Sequence, residues 1–245
     1  MTEYINKTSL LSSNITVFGD SISKGLYLNC DKVERLNVNA VNLVGEHYGV
    51  DIVNNSAFGQ TLKRVCGKGV IERYVSSLQG KDIAVLCIGG NDADYNWQDV
   101  AVNPTEFHDS KTPIAQFSLL VGQTIRQLQK KGVRVVVTSL PPVSSVRYFD
   151  NVISRHCDGD AVMRFLQNDV SNISRHQECF SNVLMQQALT NNCGFVDLRT
   201  AFLMKNNLLD YLCEDGIHPN EKGQQLIAET VIGHIEKYCA EVAAV

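Results

Sequence analysis

Ile83-Ala84-Val85-Leu86-Cys87-Ile88 is six apolar residues in a row, and Gly89-Gly90-Asn91-Asp92 follows at once. An unbroken apolar run of this length, stopped by turn residues, suits a strand covered on both faces. Val133–Val137 is a second run, apolar but for Arg134, and shorter β-branched stretches stand at Ile15–Phe18, Val50–Val53 and Phe195–Leu198. Helical spacing lies between them. Phe117, Leu120, Val121, Ile125 and Leu128 recur every three or four residues and form one apolar stripe, as do Leu226, Ile227, Val231, Ile235 and Tyr238. Residues 38–48, 61–78 and 177–191 read as further helices. Strand and helix alternating five times predict right-handed crossovers and a five-stranded, mainly parallel sheet with helices on both faces, a three-layer α/β domain over 1–245. Ligands of such sheets bind beyond the C-terminal ends of the strands, so chemistry is expected just after each strand. Residues 93–112, with the only Trp, and residues 141–160, which open on Pro141-Pro142, fit neither pattern and fall on that side.

The composition sets outer bounds. The 245 residues are 44% apolar and 20% charged, with Lys+Arg 22 against Asp+Glu 26 and a net charge of -4. That is an ordinary globular composition, which excludes collagen-like and disordered classes. It offers no basic face for nucleic acid and no attraction to anionic lipid. No apolar run approaches a membrane span, and the N-terminal MTEYINKTSLLSSN lacks a basic stretch leading into an apolar core, so no signal peptide is expected. Eight cysteines without a CxxC pair are read as reduced thiols in a cytoplasmic protein. No oligomeric state follows from the sequence.

Four polar features fall after the strands. Gly19-Asp20-Ser21 ends the first. A serine at a strand-to-helix turn exposes its hydroxyl and aims its own N–H outward, the geometry of a nucleophile, although a serine there also serves as an N-cap. Asn54-Asn55-Ser56-Ala57-Phe58-Gly59 follows the second, and its glycine lets a backbone N–H approach a ligand or makes a plain turn. In the Gly89–Asp92 loop, the Asn91 amide offers uncharged donors suited to an oxyanion. Asp215-Gly216-Ile217-His218-Pro219 precedes the last helix, and a carboxylate three residues from an imidazole is placed to fix its tautomer, leaving the far nitrogen to act as base.

The order and spacing of these four blocks resemble the SGNH (GDSL-type) hydrolase family over nearly the whole chain. The resemblance implies a flavodoxin-like fold and a serine esterase with Ser21 as nucleophile, His218 as base and Asp215 orienting it. The Ser21 N–H, Gly59 and Asn91 would form the oxyanion hole. Ser56 stands where many members carry glycine. The implied substrate is a small-molecule ester, with short acyl or acetyl groups on carbohydrate or small-metabolite alcohols. The implied chemistry needs no metal and no cofactor. Thioesterase or lysophospholipase activity is the rival on the same site, and a non-catalytic binding module is the rival of another kind. The absence of a GxGxxG or GxxxxGK[ST] pattern at the first turn counts against a phosphate-cradling module.

The remaining polar residues fit bland roles. His156, Cys157, Asp158 and Asp160, with His176 and Cys179, match no zinc-ligand spacing. Arg147, Tyr148, Arg155 and His156 are candidates for a pocket wall. Tyr95 and Trp97 either stack on a sugar or pack beneath a loop.

Overall fold

The structure is a computed structural model that describes residues 12–77 and 82–243, the last six by their backbone. The N-terminal stretch through Leu11, Leu78 at the end of the expected helix 61–78, and the side chains of Tyr238 and Cys239 lie outside the described residues.

The elements in chain order are β1 (Asn14–Gly19), α1 (Ser21–Lys24), β2 (Leu26–Asn29), β3 (Lys32–Arg35), α2 (Ala40–Tyr48), β4 (Ile52–Asn54), α3 (Leu62–Gly67), α4 (Val70–Ser76), β5 (Asp82–Cys87), α5 (Gly90–Ala93), α6 (Trp97–Val102) and α7 (Ile114–Gln129). There follow β6 (Arg134–Thr138), α8 (Ser145–Tyr148), a π-turn (Phe149–Ile153), α9 (Ser154–His156), α10 (Gly159–Phe165), α11 (Asn172–Thr190), β7 (Gly194–Val196), α12 (Leu198–Leu203), a 3₁₀ turn (Leu208–Tyr211) and α13 (Glu221–Ala243). The central sheet runs β4-β1-β5-β6-β7, with every pairing parallel. This is the flavodoxin-like order, and the direction in which successive strands are added reverses between β1 and β5.

Alternation along the strands builds two cores. Ile15 and Ile83 face α2, α12 and α13, where they meet Val44, Phe202, Leu226 and Ile227. Phe18, Ala84 and Leu86 face the opposite side and pack with Leu62, Phe117, Ile125, Phe180 and Leu184 of α3, α7 and α11. Fully burying each such side chain contributes roughly 1.5–3 kcal/mol. A third cluster of Trp97, Val100, Tyr148, Ile153, Val162, Leu166 and Ile173 knits the two segments that follow β5 and β6.

Several boundaries differ from the sequence pattern for local reasons. The second strand starts at Ile52 because the Val50 N–H is bound by the Gly45 carbonyl at the end of α2. The expected helix 61–78 divides into α3 and α4 where Gly69 turns left-handed, φ 61. Leu198 belongs to α12, since Asp197 caps that helix through the Thr200 N–H. Residues 93–112 and 141–160 contain α6 and the α8–α10 series. The β2–β3 hairpin has no counterpart in the sequence pattern. Among the described residues no helix is long and apolar enough to cross a membrane.

Candidate active site

Asp20, not Ser21, caps α1: its Oδ1 accepts the Ile22 N–H at 3.0 Å, so Ser21 is the first helical residue and its hydroxyl is left for another partner. That partner is His218, with Oγ 2.8 Å from Nε2. The helix carrying Ser21 is fixed at its other end. Asn39 and Asn54 both donate to the Ser23 carbonyl at 2.8 Å, and Gln224 of α13 donates to the Ile22 carbonyl at 3.0 Å. None of these three anchors was marked by sequence spacing, because their contacts cross 16 to 202 positions.

The loop before α13 folds back on itself. Leu212 bridges to Pro219, and the Cys213 N–H donates to the His218 carbonyl at 2.8 Å. This closure brings Asp215 Oδ2 to 2.6 Å from His218 Nδ1, while Asp215 Oδ1 accepts the N–H groups of Ile217 (2.9 Å) and His218 (3.0 Å). A carboxylate can only accept, so Nδ1 carries the proton and Nε2 is the acceptor for the Ser21 hydroxyl. Burial opposes the charge on Asp215, but bonding to the His218 ring and to the two backbone N–H groups outweighs it and holds this carboxyl below the usual range. Ser21, Asp215 and His218 are all buried. Gly216 has φ 73, and a Cβ there would lie 2.7 Å from the Tyr148 nitrogen, so this position requires glycine. The Arg147 guanidinium donates to the carbonyls of Leu209 and Leu212, both at 3.2 Å, and braces the approach to Asp215.

Gly59 and Asn91 are brought to neighbouring loops. The Asn91 amide donates to the Gln60 carbonyl at 3.2 Å, and Gln60 in turn donates to the Gly19 carbonyl at 2.7 Å, one step before Asp20. Asp92 ties the same loops from beneath, accepting the Leu62 N–H at 2.8 Å and the Thr112 hydroxyl at 2.7 Å. Gly59 is left-handed at φ 65 with open space where a Cβ would stand, so conformation rather than crowding favours glycine. The Phe58 ring lies near-parallel to that of His218, centroids 6.1 Å apart, and is partly exposed. Its place at the lip of the site had no sequence signal beyond adjacency to Gly59.

Other polar candidates are spent elsewhere. His156 pairs with Asp31 at 2.8 Å, Cys157 donates to the Ile153 carbonyl, and Asp158 caps α10 through Ala161. Trp97 and Tyr95 pack within the protein, Trp97 donating to Asp94 at 2.9 Å and Tyr95 lying against Trp97, Phe165 and His176. His47 lies 3.6 Å from Glu236, and His108 contacts the Asn103 carbonyl at 2.9 Å. No group of three or more His, Cys, Asp or Glu among the described residues is arranged to hold a metal ion.

Burial drives the Asp20 carboxyl up from an ordinary 3.8 to about 6, with the nearby Asp92 charge adding to the rise and His218 opposing it. A raised carboxyl contributes its stability fully below pH 3.8 and loses it as pH rises through about 6. The loss is on the order of 3 kcal/mol. Asp20→Asn keeps an acceptor for the Ile22 N–H without the charge. Its thermal midpoint is expected to exceed that of the wild type at pH 8 and to lose this advantage at pH 4. A difference independent of pH would contradict this account.

A buried Ser–His–Asp chain at the C-terminal rim of a parallel α/β sheet is the arrangement of a serine hydrolase. The GDSL-like Lipase/Acylhydrolase family profile matches residues 17–226, and the chain belongs to that family, the SGNH hydrolases. It is accordingly an acylhydrolase acting on ester bonds. No curated protein matches the chain. Among solved structures, the chain is similar to the lipase/acylhydrolase from Enterococcus faecalis, with 18% identity and TM-score 0.62 over 92% of this chain and 96% of that one. It is also similar to the acetyl xylan esterase Axe2 from Geobacillus stearothermophilus, with 16% identity and TM-score 0.60 over 91% and 94%. A third is the esterase EstA from Pseudoalteromonas sp., with 16% identity and TM-score 0.57 over 92% and 98%. At these identities the likeness is one of fold.

Proposed function

We propose that this enzyme cleaves carboxylic esters through an acyl-enzyme, with Ser21 as nucleophile, His218 as general base and acid, and Asp215 orienting His218. The observation that carries the reading is the continuous hydrogen-bonded path from Ser21 Oγ to His218 Nε2 at 2.8 Å and from His218 Nδ1 to Asp215 Oδ2 at 2.6 Å. Ser21 Oγ attacks the ester carbonyl carbon as its proton passes to His218 Nε2. The oxygen that gains charge is received by the N–H groups of Ser21 and Gly59 and by the Asn91 amide. Hydrogen bonds that strengthen as charge develops lower the barrier, because they favour the transition state over the bound ester. His218 then protonates the departing alkoxide. Water, deprotonated by the same nitrogen, attacks the acyl carbon, and the carboxylic acid leaves with Ser21 restored.

For the substrate we propose short acyl groups, acetyl above all, on carbohydrate or small-metabolite alcohols. Support comes from the polar composition of residues 93–112 and 141–160, and the likeness to an acetyl xylan esterase is in keeping with it. A cytoplasmic address is supported by seven free cysteines among the described residues. A panel of acetylated sugars, acyl-CoA and lysolipid tests the substrate class, and higher turnover of either of the last two would replace this reading with the thioesterase or lysophospholipase one.

The test of the site itself is covalent. A fluorophosphonate, from which the serine oxygen displaces fluoride at phosphorus, is expected to label Ser21 alone. EstA is known in a form inhibited by monoethylphosphonate. A protein that neither takes up the probe nor cleaves p-nitrophenyl acetate would overturn the assignment.

A further inference from the structure

We infer that the β2–β3 hairpin positions the reacting groups, acting through the Leu28 N–H on Asp215; the inference rests on the Ser21–His218–Asp215 reading above. The Leu28 nitrogen donates to Asp215 Oδ2 at 2.9 Å, across 187 positions of sequence. The other two backbone donors to this carboxylate, Ile217 and His218, belong to the loop of Asp215 itself and both bind Oδ1. Leu28 is therefore the donor that ties the carboxylate to another part of the molecule. It shares Oδ2 with the His218 ring, so rotation of the carboxylate away from His218 would break both bonds at once.

The hairpin is built so that this N–H is available. Cys30 and Asp31 are both left-handed, φ 44 and 70, which is the conformation of a two-residue type I′ turn. With Asn29 opposite Lys32 closing the turn, successive facing pairs alternate between exchanging hydrogen bonds and not doing so. Leu28 opposite Val33 falls on the second kind, and its N–H points out of the ribbon toward Asp215. The ribbon is closed at its base by the Leu36 N–H, which donates to the Gly25 carbonyl at 2.9 Å, and across its strands by the Tyr27 hydroxyl, which donates to Glu34 at 2.7 Å; Asp31 at the tip ties it to another segment, pairing with His156 at 2.8 Å. Neither strand contributes a buried residue to a core, and Val33 is openly exposed. Packing thus supplies little reason for the hairpin, whereas its bond to Asp215 supplies a specific one.

The test replaces the backbone amide at Leu28 with an ester by incorporating the α-hydroxy analogue of leucine, which deletes the N–H and leaves the side chain. The same replacement at Val33, the facing residue, disturbs the ribbon to a like degree and removes nothing from Asp215. With p-nitrophenyl acetate, the position-28 ester is expected to lower kcat about tenfold, the low end of what losing an orienting partner costs, with KM within about twofold. Its rate of fluorophosphonate labelling should fall by the same factor, while the position-33 ester keeps the wild-type kcat. Wild-type kcat in the position-28 ester, or equal losses in both esters, would overturn the inference. Failure of the wild type to be labelled at Ser21 would instead overturn the site reading beneath it.

Discussion

Ser21→Ala is expected to lower kcat for p-nitrophenyl acetate by about 10⁶-fold while the protein stays folded. The size follows from the chemistry: without Oγ there is no atom to acylate, and the remaining hydrogen-bond donors act only on a slow attack by water. Survival of the fold follows from the local structure. The cap of α1 is the Asp20 carboxylate, which the substitution leaves in place, and alanine is the best of helix formers at the vacated position. Among the described residues the hydroxyl bonds to His218, so the stability lost is about 1 kcal/mol. Circular dichroism and thermal melting on the same preparation separate inactivity from unfolding. Retention of more than about one-hundredth of wild-type turnover would place the nucleophile elsewhere, because a lost nucleophile costs far more than that.

Asn91→Ala is expected to cost about 10²–10³ in kcat, with KM nearly unchanged. Asn91 lies in α5, where alanine is tolerated, and Asp92 continues to hold the neighbouring loop through Leu62 and Thr112. What disappears is the amide, which donates one N–H to the Gln60 carbonyl. The second N–H is the one proposed above to receive the developing oxyanion. Asn91→Asp should be worse than alanine, since an acceptor with negative charge then faces the charge that the transition state builds. A rise in KM with kcat intact would instead make Asn91 a contact to the ground-state ester.

The strands and the Ser21–His218–Asp215 arrangement were legible in the sequence for different reasons. The run at 83–88 stood out because helices cover both faces of β5, which leaves no polar alternation to confuse the pattern, and the run at 133–137 is interrupted by Arg134 alone. The Asp215–His218 pair was legible because three residues suffice for the carboxylate to reach the ring. Ser21 could be read as a cap, since serine serves that purpose, and only the bond from Ile22 shows that Asp20 is the cap instead. The hairpin escaped notice because its turn is Cys30-Asp31, without the glycine that usually marks a left-handed pair, and because its strands are half exposed. The brace from Arg147 and the anchors from Asn39, Asn54 and Gln224 were equally hidden, being contacts between segments whose proximity only the folded chain creates.

Trp97 is the chain's one tryptophan, and it is buried where the segments after β5 and β6 meet, its indole N–H directed at Asp94 and at the Tyr148 hydroxyl. All indole fluorescence of this protein therefore originates from a single place, one that bridges the two stretches that follow β5 and β6. An emission maximum that moves to longer wavelength reports the parting of those stretches specifically, which gives the enzyme an intrinsic optical gauge that needs no added dye.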